Sequence, residues 1–437
     1  MKKTFLKCVI LAIVIVIAGC AQNKEAKNNQ GNGLTKVISD TNRIAACVSF
    51  TSDINGIPII SWAEVDSSSG KKFFKMSVFD NQKNQFAAPI NIPIKQSTSI
   101  HEEGMPKIAV KGDGSIMAFY ETSEPTKENP YAGFIYYTIS ADGGKSWSAP
   151  QYLDQDSEAG TSHSFASVCR MGDGELAACW LGNSILKNGE GRPVIFAKTQ
   201  AGKGFQNQII IDLLACECCR IAIGSNAENW ICVFYRDLLP GSVRDISMSI
   251  SQDAGLTFSK PRTFSDDGWR IEGCPHNGPS ISLNKNDVSA TWFTGGSNPG
   301  IYFGKQNLHD GGIQKIRLSR EGRFAQVTTL PDGTALIVYN KLYMNNGKVC
   351  SPIVIEKISN ENTTSSTLTS SESQAGYPVI QAISKNVVIA AWVENNSIKY
   401  KLVNIHDIVD PAILTEEHNQ NPNNKKEIPD EMNHHHM

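Results

Sequence analysis

The sequence predicts an all-β chain folded as a seven-bladed β-propeller, and three observations carry that expectation. A unit of about 55 residues recurs seven times along the 437-residue chain. Two copies carry a shared signature after their third strand, Ser140-Ala141-Asp142-Gly143-Gly144-Lys145-Ser146-Trp147 and Ser251-Gln252-Asp253-Ala254-Gly255-Leu256-Thr257-Phe258. A short segment, Leu34 to Ser39, precedes the first unit with no neighbour of its own, while the last unit runs out of chain after its third strand.

Each unit opens with a short strand, turns at Asp-Gly, Asn-Gly or Lys-Asn, and returns through a strand ending in an aromatic. In order the pairs are Ala46 to Phe50 with Ile57 to Trp62, Pro106 to Val110 with Ser115 to Tyr120, Phe165 to Arg170 with Glu175 to Trp180, and Cys219 to Gly224 with Trp230 to Tyr235. Pro279 to Leu283 with Val288 to Phe293, Phe324 to Thr329 with Thr334 to Tyr339, and Pro378 to Ile383 with Val387 to Trp392 complete the ring. Third strands follow at Lys72, Phe134, Val194, Asp245, Gly300, Pro352 and Ser397. Where the signatures occur, the Asp can accept hydrogen bonds from its own turn, the Gly can adopt positive φ, and the aromatic can plug the blade edge. Pairing Leu34 to Ser39 with the last blade removes the free edges of an open array. Six blades, with one pair miscounted, is the alternative count. Trp180 and Trp292, at second-strand ends, read as packing between blades.

The ends carry different signals. Lys2, Lys3 and Lys7 precede an apolar stretch from Cys8 to Ala18 that is too short to span a bilayer as a mature helix, and Ile17-Ala18-Gly19-Cys20 follows. This resembles a bacterial lipobox, with residues 1–19 a signal peptide and Cys20 the lipidated first residue of the mature chain. Residues 20–33 read as a polar tether and 411–437 as a disordered tail, leaving 34–410 for the propeller. Ala21 after the lipidated Cys resembles the pattern that sorts lipoproteins to the outer membrane, so a lipid-anchored place in the cell envelope is expected. The formal charge of −2 with interspersed signs argues against a nucleic-acid partner, and a monomer is expected.

In a propeller the segments entering each first strand meet at one mouth of the channel. They bring Arg43, His101 with Glu102 and Glu103, His163, Cys216 to Arg220, Cys274 to Asn277, Arg320 to Arg323, and Gln374 with Tyr377. Loops from second to third strands add Asp66, Glu121, Arg236 with Asp237, and Arg244. Cys216-Glu217-Cys218-Cys219-Arg220 and Gly273-Cys274-Pro275-His276-Asn277 enter adjacent blades, so their thiols fall side by side. Without Cys8 and Cys20, nine of the 11 Cys remain, an odd number. Export favours a disulfide between Cys274 and Cys216, Cys218 or Cys219. The same thiols with His276 or His163 instead suit a soft metal, copper or zinc. Cys47, Cys169, Cys179, Cys232 and Cys350 sit in strands, where a thiol serves as a small buried apolar group.

The two signatures, as Asp boxes at their place in the repeat, make the chain resemble the sialidase superfamily of bacterial neuraminidase repeat proteins. That resemblance implies a propeller, a three-Arg clamp for a sugar carboxylate, an acid, and a Tyr nucleophile activated by a Glu. Carried to this chain it implies Arg43, Arg220 and Arg323 for the clamp, Asp66 for the acid, and Tyr377 for the nucleophile with Glu217 or Glu321 as its base. Arg236 adds a rim cation or, more plainly, braces its own loop. The aromatic and Pro that flank the family's first Arg are absent, since Asn42-Arg43-Ile44-Ala45 stands there. Fold alone does not name a reaction. Three functions stay open: an envelope lipoprotein binding a soft metal or an acidic glycan, an exo-sialidase, and a disulfide-stapled scaffold for a protein partner.

Overall fold

The computed structural model describes residues 33–409 apart from 105, 187–189, 310 and 360–361. Cys20, the signal segment, the tether and the tail lie outside the described residues. Apart from one 3-10 turn at Ile405–Asp407, every regular element is a strand.

Seven antiparallel sheets follow one another along the chain. The first is built from Ile44–Ser52, Pro58–Val65 and Lys72–Asp80, with its outer edge split between Gln85–Phe86 and Ile90–Ile92. Innermost strands of the next six are Lys107–Val110, Ser164–Arg170, Ala222–Ser225, Ser280–Leu283, Gly322–Thr329 and Ala375–Ala382. Each packs beside its neighbour, and Ala375–Ala382 meets Ile44–Ser52, so the ring closes with seven blades rather than six. The latch is as expected: Lys36–Val37 pairs antiparallel with Ser397–Asn404, Lys36 opposite Tyr400 and Val37 opposite Lys399. Ile38 N–H donates to Ile398 O at 3.0 Å, and Ile398 N–H donates to Ser39 Oγ at 2.9 Å.

The sequence pattern did not show one element. Tyr343–Asn345 and Lys348–Cys350 form a hairpin between the second and third strands of blade 6. Asn346 and Gly347, with φ of 49° and 77°, make the tight turn.

The core lies between blades. Trp62, Trp180, Trp292 and Trp392 are fully buried on second strands, and Trp180 packs with Phe119 and Tyr137 of the preceding blade. A buried indole N–H needs an acceptor, and all four find a carboxylate: Glu64 at 2.8 Å, Asp154 at 2.6 Å, Asp267 at 2.8 Å and Glu394 at 3.1 Å, respectively. The two Ser-x-Asp turns repeat one geometry. Ser140 Oγ donates to Asp142 Oδ1 and accepts from Gly144 N–H, both at 2.8 Å, and Ser251, Asp253 and Gly255 reproduce both distances. Phe258 then reaches Phe196 of blade 3, with ring centroids 4.8 Å apart, while Trp147 packs into the core between blades 1 and 2.

Deleting residues 33–39 should expose the edge of Ser397–Asn404. Thermal unfolding is expected to fall by roughly 5–10 °C, with dimers appearing in size-exclusion chromatography. An unchanged midpoint and a monomer would show that the latch does not hold the ring.

Candidate functional site

Four innermost strands begin with a bulge. The pairing register slips between Ala46 and Ser49, Ser164 and Ser167, Arg323 and Gln326, and Gly376 and Val379. Within those steps Cys47, Phe165, Phe324 and Tyr377 adopt φ of 60°, 60°, 54° and 50°. A bulge removes the local backbone from the ladder, and in two blades the freed N–H goes to a carboxylate. Cys47 N–H donates to Glu102 Oε1 at 3.0 Å, and Phe165 N–H to Glu121 Oε1 at 2.6 Å.

Glu103 does the same for two further blades. Its Oε2 accepts from Arg220 N–H at 3.1 Å and from Gly278 N–H at 2.8 Å, while Arg220 Nη1 donates to Oε1 at 2.9 Å. Both side chains are buried. Gly278 is required here, because a Cβ would lie 2.3 Å from Arg220 O. The entries to blades 2, 4 and 5 are thus tied at one carboxylate. Below this plug a cavity of about 180 Å³ continues down the channel, with Lys107, Arg220, Ser49 and Ser167 in its wall.

The plug is electrostatically tight. Burial lifts Glu102 to about 7, against the pull of the Cys47 N–H. Burial raises Glu121 and lowers Lys107, each opposed by the other's charge. Tyr377 is raised, first by burial and then by Glu102 and Glu103.

Beside the plug stands a nest of thiols. The Sγ atoms of Cys216, Cys218 and Cys219 lie within 4.8 Å of one another, and so do Cys218 Sγ, Cys274 Sγ and a ring nitrogen of His276. Cys216 and Cys218 Sγ are 3.8 Å apart, and all nine described cysteines are free thiols. Cys274 is drawn down to about 5 by hydrogen bonding with Cys218 and then with His276. His276 is raised by Cys274 in return, and its ring lies 5.5 Å from that of His101, which burial lowers.

Other residues expected at the mouth stand elsewhere. Asp66 accepts from Ser68 and Ser69 in its own turn, which holds it at about 2, the wrong direction for an acid that must carry a proton near neutrality. Glu217 is exposed and accepts from Gly191 N–H at 2.7 Å, so it is no base for Tyr377, whose carboxylate neighbours are Glu102 and Glu103. His163 is buried with Nδ1 3.1 Å from Asp154 Oδ2 and belongs to neither thiol group. Arg43 pairs with Glu64 at 3.0 Å and covers the Phe73 ring at 3.9 Å. Arg323 covers Phe293 at 4.2 Å and donates to Gly322 O. Arg236 donates to the carbonyls of Arg244, Asn277 and Phe293 and lies over Trp269 at 4.8 Å, so it braces its loop. The clamp that the resemblance implied is therefore not assembled, and Arg220 would have to leave Glu103 to join one. Lys107 and Arg192 had no motif to reveal them. Arg192 is buried and donates to Gly182 O, Leu181 O, Ser162 O and Ser164 Oγ, tying the top of blade 3.

Residues 73–389 match the model of the BNR repeat-like domain. The chain belongs to that family. Among solved structures, this BNR propeller resembles the polysaccharide lyase Uly1, with 12% identity over 82% of this chain and 89% of that one and a TM-score of 0.52. It also resembles the NanB sialidase from Streptococcus pneumoniae (10% identity, 86% of this chain, 71% of that one, TM-score 0.44). A third is the intramolecular trans-sialidase from Ruminococcus gnavus (10% identity, 87% of this chain, 99% of that one, TM-score 0.48). At these identities the likeness is one of fold alone, a β-propeller. No curated protein matches significantly.

An acid whose folded pKa lies above its unfolded value stabilises the fold fully below the unfolded value, about 4.5 for Glu102, and loses that contribution as pH rises through about 7. Unfolding free energy should therefore fall between about pH 4.5 and 7, and Glu102→Gln, which keeps the acceptor for Cys47, should flatten that fall by up to about 3 kcal/mol. Urea titrations at several pH values test this; identical slopes in both proteins would place the dependence elsewhere. Glu103→Ala should cost about 3–5 kcal/mol, because it leaves the Arg220 charge buried alone.

Proposed function

We propose that this protein is a lipid-anchored envelope propeller that binds a soft metal ion, copper or zinc, at the channel mouth. The observation that carries the reading is the nest itself. Four thiols and an imidazole, delivered by the entries of blades 4 and 5, form two groups of three that share Cys218, the ligand atoms of each group lying within 4.8 Å of one another, and thiolate with imidazole is the donor set that soft and borderline ions prefer. Two further features support it. The pull on Cys274 toward the thiolate lowers the cost of deprotonating a ligand, and the rigid ring holds the donors in place without metal.

Full-length protein purified under reducing conditions should carry at least stoichiometric copper or zinc by elemental analysis, and Cys218→Ser should lose it. Metal-free protein with Cys216, Cys218, Cys219 and Cys274 all in disulfides would overturn the reading in favour of a stapled scaffold. Cys20→Ala should move the protein from the membrane to the soluble fraction; unchanged fractionation would remove the anchor.

Glycan processing is the second reading. The sialidase-like propeller favours it, as does Tyr377 standing near Glu102 and Glu103. Turnover of a fluorogenic sialoside lost in Tyr377→Phe would support it, and absence of turnover would sink it.

A further inference from the structure

The five ligands of the nest divide into two overlapping triangles. One is Cys216, Cys218 and Cys219; the other is Cys218, Cys274 and His276, and Cys218 Sγ is their shared corner. A tetrahedral ion with metal–sulfur bonds of about 2.3 Å needs four donors that are all mutual neighbours. Among the described residues the ligand atoms make groups of three, and no group of four meets that condition. What the geometry offers is a pair of trigonal pockets with one sulfur in common. A thiolate has enough lone pairs to bridge two soft ions, and Cu(I) is the soft ion content with three donors.

We propose that the nest holds two Cu(I) ions bridged by Cys218 Sγ, one completed by Cys216 and Cys219 and the other by Cys274 and His276. The inference rests on the soft-metal reading above and goes beyond it in the number of ions, their oxidation state and the bridging atom.

The surroundings fit such a cluster. Four thiolates with two monovalent cations remain anionic, and Arg236 and Arg244 act on Cys216 from beside it. The Nε of each guanidinium is buried with no hydrogen-bond acceptor, an arrangement that an adjacent anionic cluster would relieve. His276 Nδ1 is likewise buried and without a partner, and the residue is held at φ 44°, a conformation L-residues adopt only under constraint. Cys216 N–H is anchored to Arg236 O at 2.9 Å, which ties the cluster to its counter-charge. Three of the four thiols are buried and Cys274 is exposed, so the second pocket opens to solvent and is the entry.

The test is anaerobic titration of the reduced, full-length protein with Cu(I) against a chromophoric chelator, with X-ray absorption on the loaded sample. Two equivalents and a metal–metal scattering path are expected. Cys274→Ser, at an exposed position that leaves the fold intact, should keep one equivalent and lose that path, and Cys219→Ser should do the same. Cys218→Ser should lose the path and weaken both sites, with circular dichroism confirming the fold. Saturation at one equivalent, or two equivalents without a metal–metal path, would overturn the bridged pair while leaving the soft-metal reading standing. Binding of neither Cu(I) nor Zn(II) would overturn both.

Discussion

A propeller must keep seven blades in register around a channel that offers few apolar contacts, and here much of that task falls on one buried carboxylate. Glu103 enters from the link between blades 1 and 2 and accepts from Arg220 in blade 4 and Gly278 in blade 5. A carboxylate removed from water costs several kcal/mol unless its lone pairs are filled and its charge is met. Three N–H donors, one of them on a guanidinium, supply both. The same contacts set the height of Cys219, next to Arg220, and of Asn277, next to Gly278, so the tie positions the two Cys motifs against each other.

Each neighbouring feature follows from that tie. With Glu103 committed to Arg220, the adjacent Glu102 has no cation of its own and responds to burial by holding its proton to about 7. Tyr377, placed near both acids, is raised for the same reason. The channel mouth is thus a closed polar plug rather than an open cationic cleft. A clamp for an acidic sugar requires guanidiniums without internal partners, whereas Arg220, Arg43 and Arg236 already have theirs. The thiols are different: their polar neighbours are mainly one another, so the soft ion proposed for the nest would displace no contact that holds the ring together.

The strand pattern, the seven-fold count and the latch were legible in sequence because each rests on local chemistry: alternation, turn residues and an orphan strand. The Cys motifs were legible as neighbours because their places in the repeat are adjacent. Partner choice was not legible. Arg220 and Arg323 occupy similar places in their repeats, and only the folded ring shows that one meets Glu103 while the other lies on Phe293. The turn around Asp66 is written in its local sequence, since Ser68 and Ser69 supply the donors that complete it. The hairpin at Asn346-Gly347 had a readable turn, but it sits inside a link between second and third strands no longer than that of blade 2, so the repeat itself gave no sign of it.

The repeated bulge links fold to site. Cys47, Phe165, Phe324 and Tyr377 come from four different blades, and none is a glycine, yet all hold positive φ at the same step of the innermost strand. Such a conformation costs of order 1 kcal/mol or more at each residue and persists only where the surroundings over-determine it. Glu102 and Glu121 account for two of the four by taking the freed N–H, and the close contact of the Phe324 and Tyr377 rings, 4.3 Å between centroids, accounts for the others. The bulge recurs at four of the seven blade entries, and at two of them it hands a backbone N–H to a carboxylate of the plug. Strain at two of these steps is met by Glu102 and Glu121, while Glu103 ties the entries of blades 4 and 5 that carry the thiols, so the mouth and the thiol nest are held by one set of buried carboxylate contacts.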